Sequence, residues 1–210
     1  MALMGRPRCF CTEKALDQAL SVFWRKGYEA ATLTDLTQAM GINRPSLYAA
    51  FGNKEELFRK AMERYVAEKG AYMTEALSAS TAYGVAERLL CGAAQSMTDP
   101  NSPSGCMAVK ATLSGADETD VVKRELARIR DDYQARMIAR FEQGRQVGEL
   151  SADCDVAALV RFIITVAQGM AIQVAAGAGR DDLLRVARIA LAAWPGLKPA
   201  GPRQTEGAEA

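Results

Sequence analysis

The side chains best placed to do chemistry lie between Thr32 and Lys54, in the run TLTDLTQAMGINRPSLYAAFGNK. Thr32, Thr34, Asn43, Arg44 and Ser46 are hydrogen-bond donors or acceptors, interrupted by Pro45. Such a set suits a polyanion that also carries readable edges. Hydroxyls and N–H groups at a helix start bind phosphate, and an arginine can make a paired contact to a guanine edge worth about 1–3 kcal/mol of discrimination. Arg44 is the candidate for that contact, with a phosphate clamp as its alternative role. Thr32 and Thr34 are candidates for phosphate, and Asn43, Pro45 and Ser46 open the helix that would do the reading.

The other reactive groups are five cysteines, Cys9, Cys11, Cys91, Cys106 and Cys154. An odd number without framework spacing, and no apolar segment in Met1–Arg8, point to reduced thiols in the cytoplasm. Cys106 is the one to single out. It follows Ser104-Gly105 at the expected first turn of a helix, where a nucleophilic sulfur is favoured; the alternative is a packed small hydrophobe. Met97, Met107, Phe162 and Met170 are candidates for an adaptable apolar pocket, or for plain core. Cys9 and Cys11 hold no metal without ligands from elsewhere, so no metal or cofactor is expected.

The chain of 210 residues contains no histidine, which excludes His-based triads and HExxH zinc sites. No GxxxxGKS/T loop occurs. A cysteine-dependent enzyme would therefore need Asp, Glu or Lys as its base; it is kept as an alternative function, together with an effector-free architectural DNA binder.

Local signals say how the donor set is held. Thr32 with Asp35 forms a capping box ahead of Leu33, Leu36 and Met40. Gly41 stops that helix. Asn43 caps the next, with Pro45 in its first turn and Ile42 and Leu47 as a staple. Gly52 ends it, and Asn53 with Glu56 caps a third. Helix, glycine turn, helix is a helix-turn-helix, whose second helix enters the DNA major groove. Residues 1–54 carry seven Lys/Arg against four acids, a net +3, while the whole chain carries +1. The positive end is thus the one with the helix-turn-helix, and the basic arm Met1–Cys11 leads into it.

The rest reads as all-α. Leu16, Ala19, Leu20 and Phe23 give the first helix one apolar face, closed at Gly27. A helix from Lys54 to about Leu77 carries Leu57, Phe58, Ala61, Met62 and Tyr65 inward, with its far end in the second domain. Further helices are expected at about 83–97, 105–113, 118–146, 156–176 and 181–194, about nine in all. In the long one from Glu118, Val122, Leu126, Ile129, Tyr133, Met137 and Phe141 point inward. Phe162 to Gly179 holds no charge. A membrane span is the reflex at that length, but Gln168, Gln173 and three glycines favour burial by the domain on one side and a second subunit on the other. On the last helix Leu184, Ala187, Leu191 and Trp194 form the stripe. The domain expectation is 1–53 for DNA binding, 54–196 for effector binding and dimerisation, and a disordered tail over 197–210.

Gly27-Tyr28, Thr32-Leu33-Thr34-Asp35-Leu36, Met40-Gly41-Ile42, Ser46-Leu47-Tyr48, Phe51 and Lys54-Glu55-Glu56-Leu57 together resemble the N-terminal domain of the tetracycline-repressor (TetR) family. The resemblance spans Ala15 to Arg64. It implies a homodimeric, two-domain transcription regulator, usually a repressor. Such a protein binds a palindromic double-stranded operator, is released by a small-molecule or electrophile/oxidant effector, some members sensing the latter through a cysteine such as Cys106, and dimerises through its last two helices, here about 156–176 and 181–194. It also implies that Tyr48 and Lys54 contact DNA phosphate. Two sequence arguments agree. Tyr48 is rotated off the Leu47–Phe51 face, and a lysine opening a helix opposes the macrodipole by a few tenths of a kcal/mol unless an anion favours it. The departures lie on the reading helix, where many members have Gly-Thr in place of Pro45-Ser46 and an aromatic or His in place of Ala50.

Overall fold

The computed structural model describes residues 10–113 and 120–195. These form ten helices and no β-strand: α1 Thr12–Ala30, α2 Leu33–Met40, α3 Arg44–Phe51, α4 Lys54–Lys69, α5 Ala71–Leu77, α6 Ala82–Met97, α7 Met107–Leu113, α8 Asp120–Gln146, α9 Val156–Ala175 and α10 Arg180–Ala192. Most of the arm before Phe10, the expected helix start at Glu118, the side chain of Val122 and the tail from Leu197 lie outside the described residues.

Helix boundaries follow local chemistry. Thr32 and Asp35 make a reciprocal capping box at α2, and Asn53 and Glu56 make another at α4. Thr81 caps α6 through the Gly84 amide. Gly27 departs from helical geometry at φ 77°, so α1 bends there and runs three residues further before stopping.

The expected helix from Lys54 to Leu77 is in fact two. It breaks at Gly70, whose amide reaches back five residues to the Tyr65 carbonyl. A Cβ at Gly70 would stand 2.6 Å from the Val66 carbonyl oxygen, so the tight bend requires glycine. The Lys69 carbonyl beside the break accepts from Ser96 of α6, and Lys69 Nζ pairs with Asp99 at 3.0 Å. The far end of α4 is thereby fixed to the second half of the chain.

Two hydrophobic cores result. In the first, Phe23 and Tyr28 stand edge-on to Phe58, with centroids 5.2 and 5.1 Å away, above the fully buried Leu36, Leu47 and Leu57. Arg64 clamps α4 to α1 through ion pairs with Glu13 and Asp17 and also pairs with Glu68. Met107 and Ala111 of α7 and Leu126 of α8 belong to this core too. The second core joins α6, α8, α9 and α10 around Leu90, Met137, Phe141, Ile163 and Met170. Trp194 closes it, edge-on to Tyr83 and Phe141. The inward stripe of α10 includes Leu183, which is buried, while Leu184 is only half-buried.

Helix α9 is 20 residues long with mean hydropathy 1.6, long and apolar enough by composition to cross a membrane. Its burial is one-sided. Val156, Val160, Ile163, Met170 and Val174 enter the second core, while Phe162 and Ile172 stay exposed. Val186 and Ile189 of the adjoining α10 are exposed as well.

Candidate nucleic-acid interface and effector site

The turn between α2 and α3 is set by Gly41, left-handed at φ 66°. A Cβ there would meet nothing within 4 Å, so glycine is required by backbone conformation alone. Asn43 Oδ1 accepts from the Ser46 amide at 2.9 Å, and Pro45 occupies the first turn, where its missing N–H costs nothing. Leu47 and Phe51 anchor α3 in the core at 0% and 3% exposure, while Arg44, Pro45, Tyr48 and Ala49 face outward. Tyr48, at 48% exposed, stands off the buried face as its position in the sequence suggests.

Three of the expected phosphate ligands have partners inside the protein. Both donors of Thr32, its hydroxyl and its amide, go to Asp35 Oδ2 at 2.8 and 3.0 Å. Its hydroxyl is therefore a cap, and the capping demand of α2 is the reason. Asp35 is itself held down to about 2 by hydrogen bonds from Lys26 and Thr32. Thr34 Oγ1 accepts from Arg44 Nη2 at 3.2 Å, which ties the guanidinium to α2 with most of its five donors left over. Lys54 Nζ lies 4.4 Å from the Tyr28 ring centroid and 3.4 Å from the Glu29 carbonyl oxygen. Burial lowers its pKa, and Glu29 opposes that shift. An internal partner thus already accounts for a lysine at this helix start.

Apart from the Thr32–Asp35 cap, none of these partners is visible in a local pattern. Thr34 and Arg44 are ten residues apart, and Tyr28 and Lys54 lie on different helices.

Cys106 precedes α7 rather than sitting in its first turn; α7 begins at Met107 and has seven described residues. The thiol is half-buried at the seam and touches both cores. The Tyr65 hydroxyl donates to its Sγ at 3.3 Å. Burial, followed by the nearby Cys106, raises the pKa of both Tyr65 and Tyr72. Burial also raises Tyr133, which donates to the Met73 carbonyl at 3.1 Å. The thiol thus meets phenols from α4 and α5, with Tyr133 of α8 next to Tyr72, a grouping that sequence reasoning missed because it draws on separate helices. Gly105, at φ 84°, lays the chain against α9, where a Cβ would come within 3.3 Å of the Ala171 carbonyl oxygen.

The expected pocket residues are distributed between the two cores and the surface. Met97 and Met170 are buried in the second core and Met107 in the first. Phe162 points away, onto the exposed face of α9, where it lines an open hollow of about 470 Å³ with Asp155, Ala157, Ala158, Arg161 and Thr165. Its outward register on α9, two positions and so about 200° from the buried Val160, puts it there.

Residues 15–61 match the family described as bacterial regulatory proteins, tetR family, and residues 84–191 match the Tetracyclin repressor-like C-terminal domain. The transcriptional repressor ComR of Escherichia coli K12 is 35% identical over 198 residues, covering 92% of this chain and 93% of ComR. BdcR, another transcriptional repressor of that strain, is 29% identical over 187 residues, 89% of this chain and 90% of BdcR. A solved structure of the regulator CifR with a 26-bp double-stranded operator is 40% identical, with TM-score 0.85, over 91% of this chain and 100% of that one.

Proposed function

The chain belongs to the TetR family of bacterial transcription regulators, and from that premise we propose that it is a homodimeric repressor that binds a palindromic operator in the cytoplasm and is released by an effector acting at Cys106. The family and the relatives named above are regulators of transcription, not enzymes. Operator binding rests on the outward face of α3, supported by the same fold in CifR, whose structure includes operator DNA. Arg44 is the base reader, and Tyr48, Lys54 and the Leu33 and Thr34 amides that open α2 meet phosphate. The four large apolar side chains exposed on α9 and α10 form the dimer face.

The observation that carries the effector half is the contact between Tyr65 and Cys106. It places a thiol against α4, the helix that begins at Lys54. A small electrophile, an oxidant or a bound apolar molecule at the seam displaces the Tyr65 ring and tilts α4. That shifts the population away from dimers whose two α3 helices fit successive major grooves about 34–36 Å apart.

Fluorescence anisotropy with duplexes from the region upstream of its own gene tests the reading. Tight binding that weakens steeply with salt is the expected result. Binding no stronger than to an unrelated duplex at every salt concentration would sink it. A thermal-shift screen then looks for ligands that stabilise the protein and release the duplex.

A further inference from the structure

The side chains that α3 turns outward are of an unusual kind for reading hydrogen-bond patterns. At 100° per residue, Pro45 and Ala49 each lie 200° from the fully buried Leu47. They form the midline of the exposed face, and both are exposed. Neither has a polar side-chain atom. Polar side chains flank the midline, with Arg44 and Tyr48 on one side and Ser46 on the other. In a major groove the midline enters deepest, so the base edges it meets face only methyl and methylene groups. Of the four bases, thymine alone offers an apolar group there, its C5-methyl.

We propose that this repressor reads thymine C5-methyl groups with Ala49 and Pro45, next to the guanine contacted by Arg44. The inference rests on the operator-binding reading above and adds which base the middle of α3 recognises. Alanine and a first-turn proline also favour helix formation. That role acts equally on every DNA sequence, whereas the proposed one depends on a single methyl group. Arg44 and Ala49 are five residues apart, about 7 Å along the helix axis, so the thymine lies about two base pairs from the guanine.

The full-length protein first selects duplexes from a pool carrying two randomised half-sites. Each thymine of the preferred duplex is then replaced in turn by deoxyuridine, which removes only the methyl group. Affinity is measured for wild type and Ala49→Gly. At one or two thymines per half-site, wild type loses about fourfold, the worth of one buried methyl. At the thymine under Ala49, the Ala49→Gly variant, weaker overall, shows no further loss, while a thymine under Pro45 keeps its loss in that variant. Replacing such a T·A pair by 5-methylcytosine·G retains more affinity than replacing it by C·G, which assigns the effect to the methyl and not to the rest of the base. The proposal is overturned if deoxyuridine changes affinity by less than about 1.5-fold at every thymine, or if its effect and that of Ala49→Gly simply add at all of them. If no duplex is selected at all, operator binding itself fails, and this inference with it.

Discussion

Tyr65 donates its hydroxyl hydrogen to Cys106 Sγ across 3.3 Å, joining the last turns of α4 to the segment that opens α7. The same ring stands edge-on to Trp24 of α1, 4.9 Å between centroids. A change at the sulfur therefore presses on α1 and α4 together. Among the described cysteines, Cys11 is exposed, and Cys91, Cys106 and Cys154 are half-buried. Only Cys106 touches both cores. N-ethylmaleimide should release the wild-type protein from its operator, while Cys106→Ser should bind DNA as wild type and resist release. Tyr65→Phe should cost about 1 kcal/mol in urea denaturation and leave operator affinity within about twofold in the absence of effector. Equal release of wild type and Cys106→Ser would remove Cys106 from the mechanism.

Lys54 packs its ammonium on Tyr28 and the Glu29 carbonyl at the end of α1. Replacing it by Ala should weaken binding to all duplexes alike and lower the slope of log K against log salt by about one. A small stability loss, about 0.5–1 kcal/mol for the lost cation–π contact, should accompany it. Anisotropy titrations at several salt concentrations, with a thermal melt, separate the two effects. Weakening confined to one base position would contradict a phosphate role.

Thr34 holds Arg44 by accepting one of its five N–H donors. Thr34→Val keeps the shape and removes the acceptor. The preference for guanine over the other bases at the Arg44 position should fall severalfold, with much smaller changes elsewhere in the half-site, and Thr34→Ser should restore it. Binding to a panel of single-base operator variants reads this directly. An even loss across the panel would instead make Thr34 a phosphate ligand.

Asp35 ties the α2 cap to Lys26 and titrates at about 2 rather than 3.8. A carboxyl whose folded pKa is depressed contributes stability in full above the unfolded value, and loses it as pH falls through the folded one. The cap should therefore be intact at neutral pH, begin to lose its contribution near 3.8 and be gone below about 2. A carbon-detected NMR titration of the Asp35 carboxyl measures this; a midpoint near 4 would show that the cap is not formed in solution.

Ile189 is 73% exposed on α10, and Phe162 and Ile172 are 43% and 48% exposed on α9. Ile189→Glu puts a charge in the middle of the proposed dimer face. Sedimentation equilibrium should show a dimer for wild type and a monomer for the variant, with operator affinity lower by about 100-fold or more because one half-site alone is bound. A variant that remains dimeric would move the interface elsewhere.

Much of this molecule is legible from neighbouring residues. Capping boxes, stop glycines and apolar stripes act over three or four positions, so Thr32–Asp35, Gly41, Asn43 and the inward faces of α1, α4 and α8 follow from the chain alone. So does the excess of apolar surface on α9 and α10, more than one domain covers. The sequence is silent about which helices meet. Only packing brought Tyr28 under Lys54, Thr34 beside Arg44, and Tyr65 against Cys106, 41 residues further on. The break at Gly70 belongs with these. A lone glycine in an apolar stripe reads as a tolerated helix residue, and it becomes a bend where the Ser96 and Asp99 contacts hold the helix end to the second core. Periodicity and capping are properties of one helical turn. Partners for a side chain are decided by the joint burial of surfaces far apart in the chain, which no short window contains.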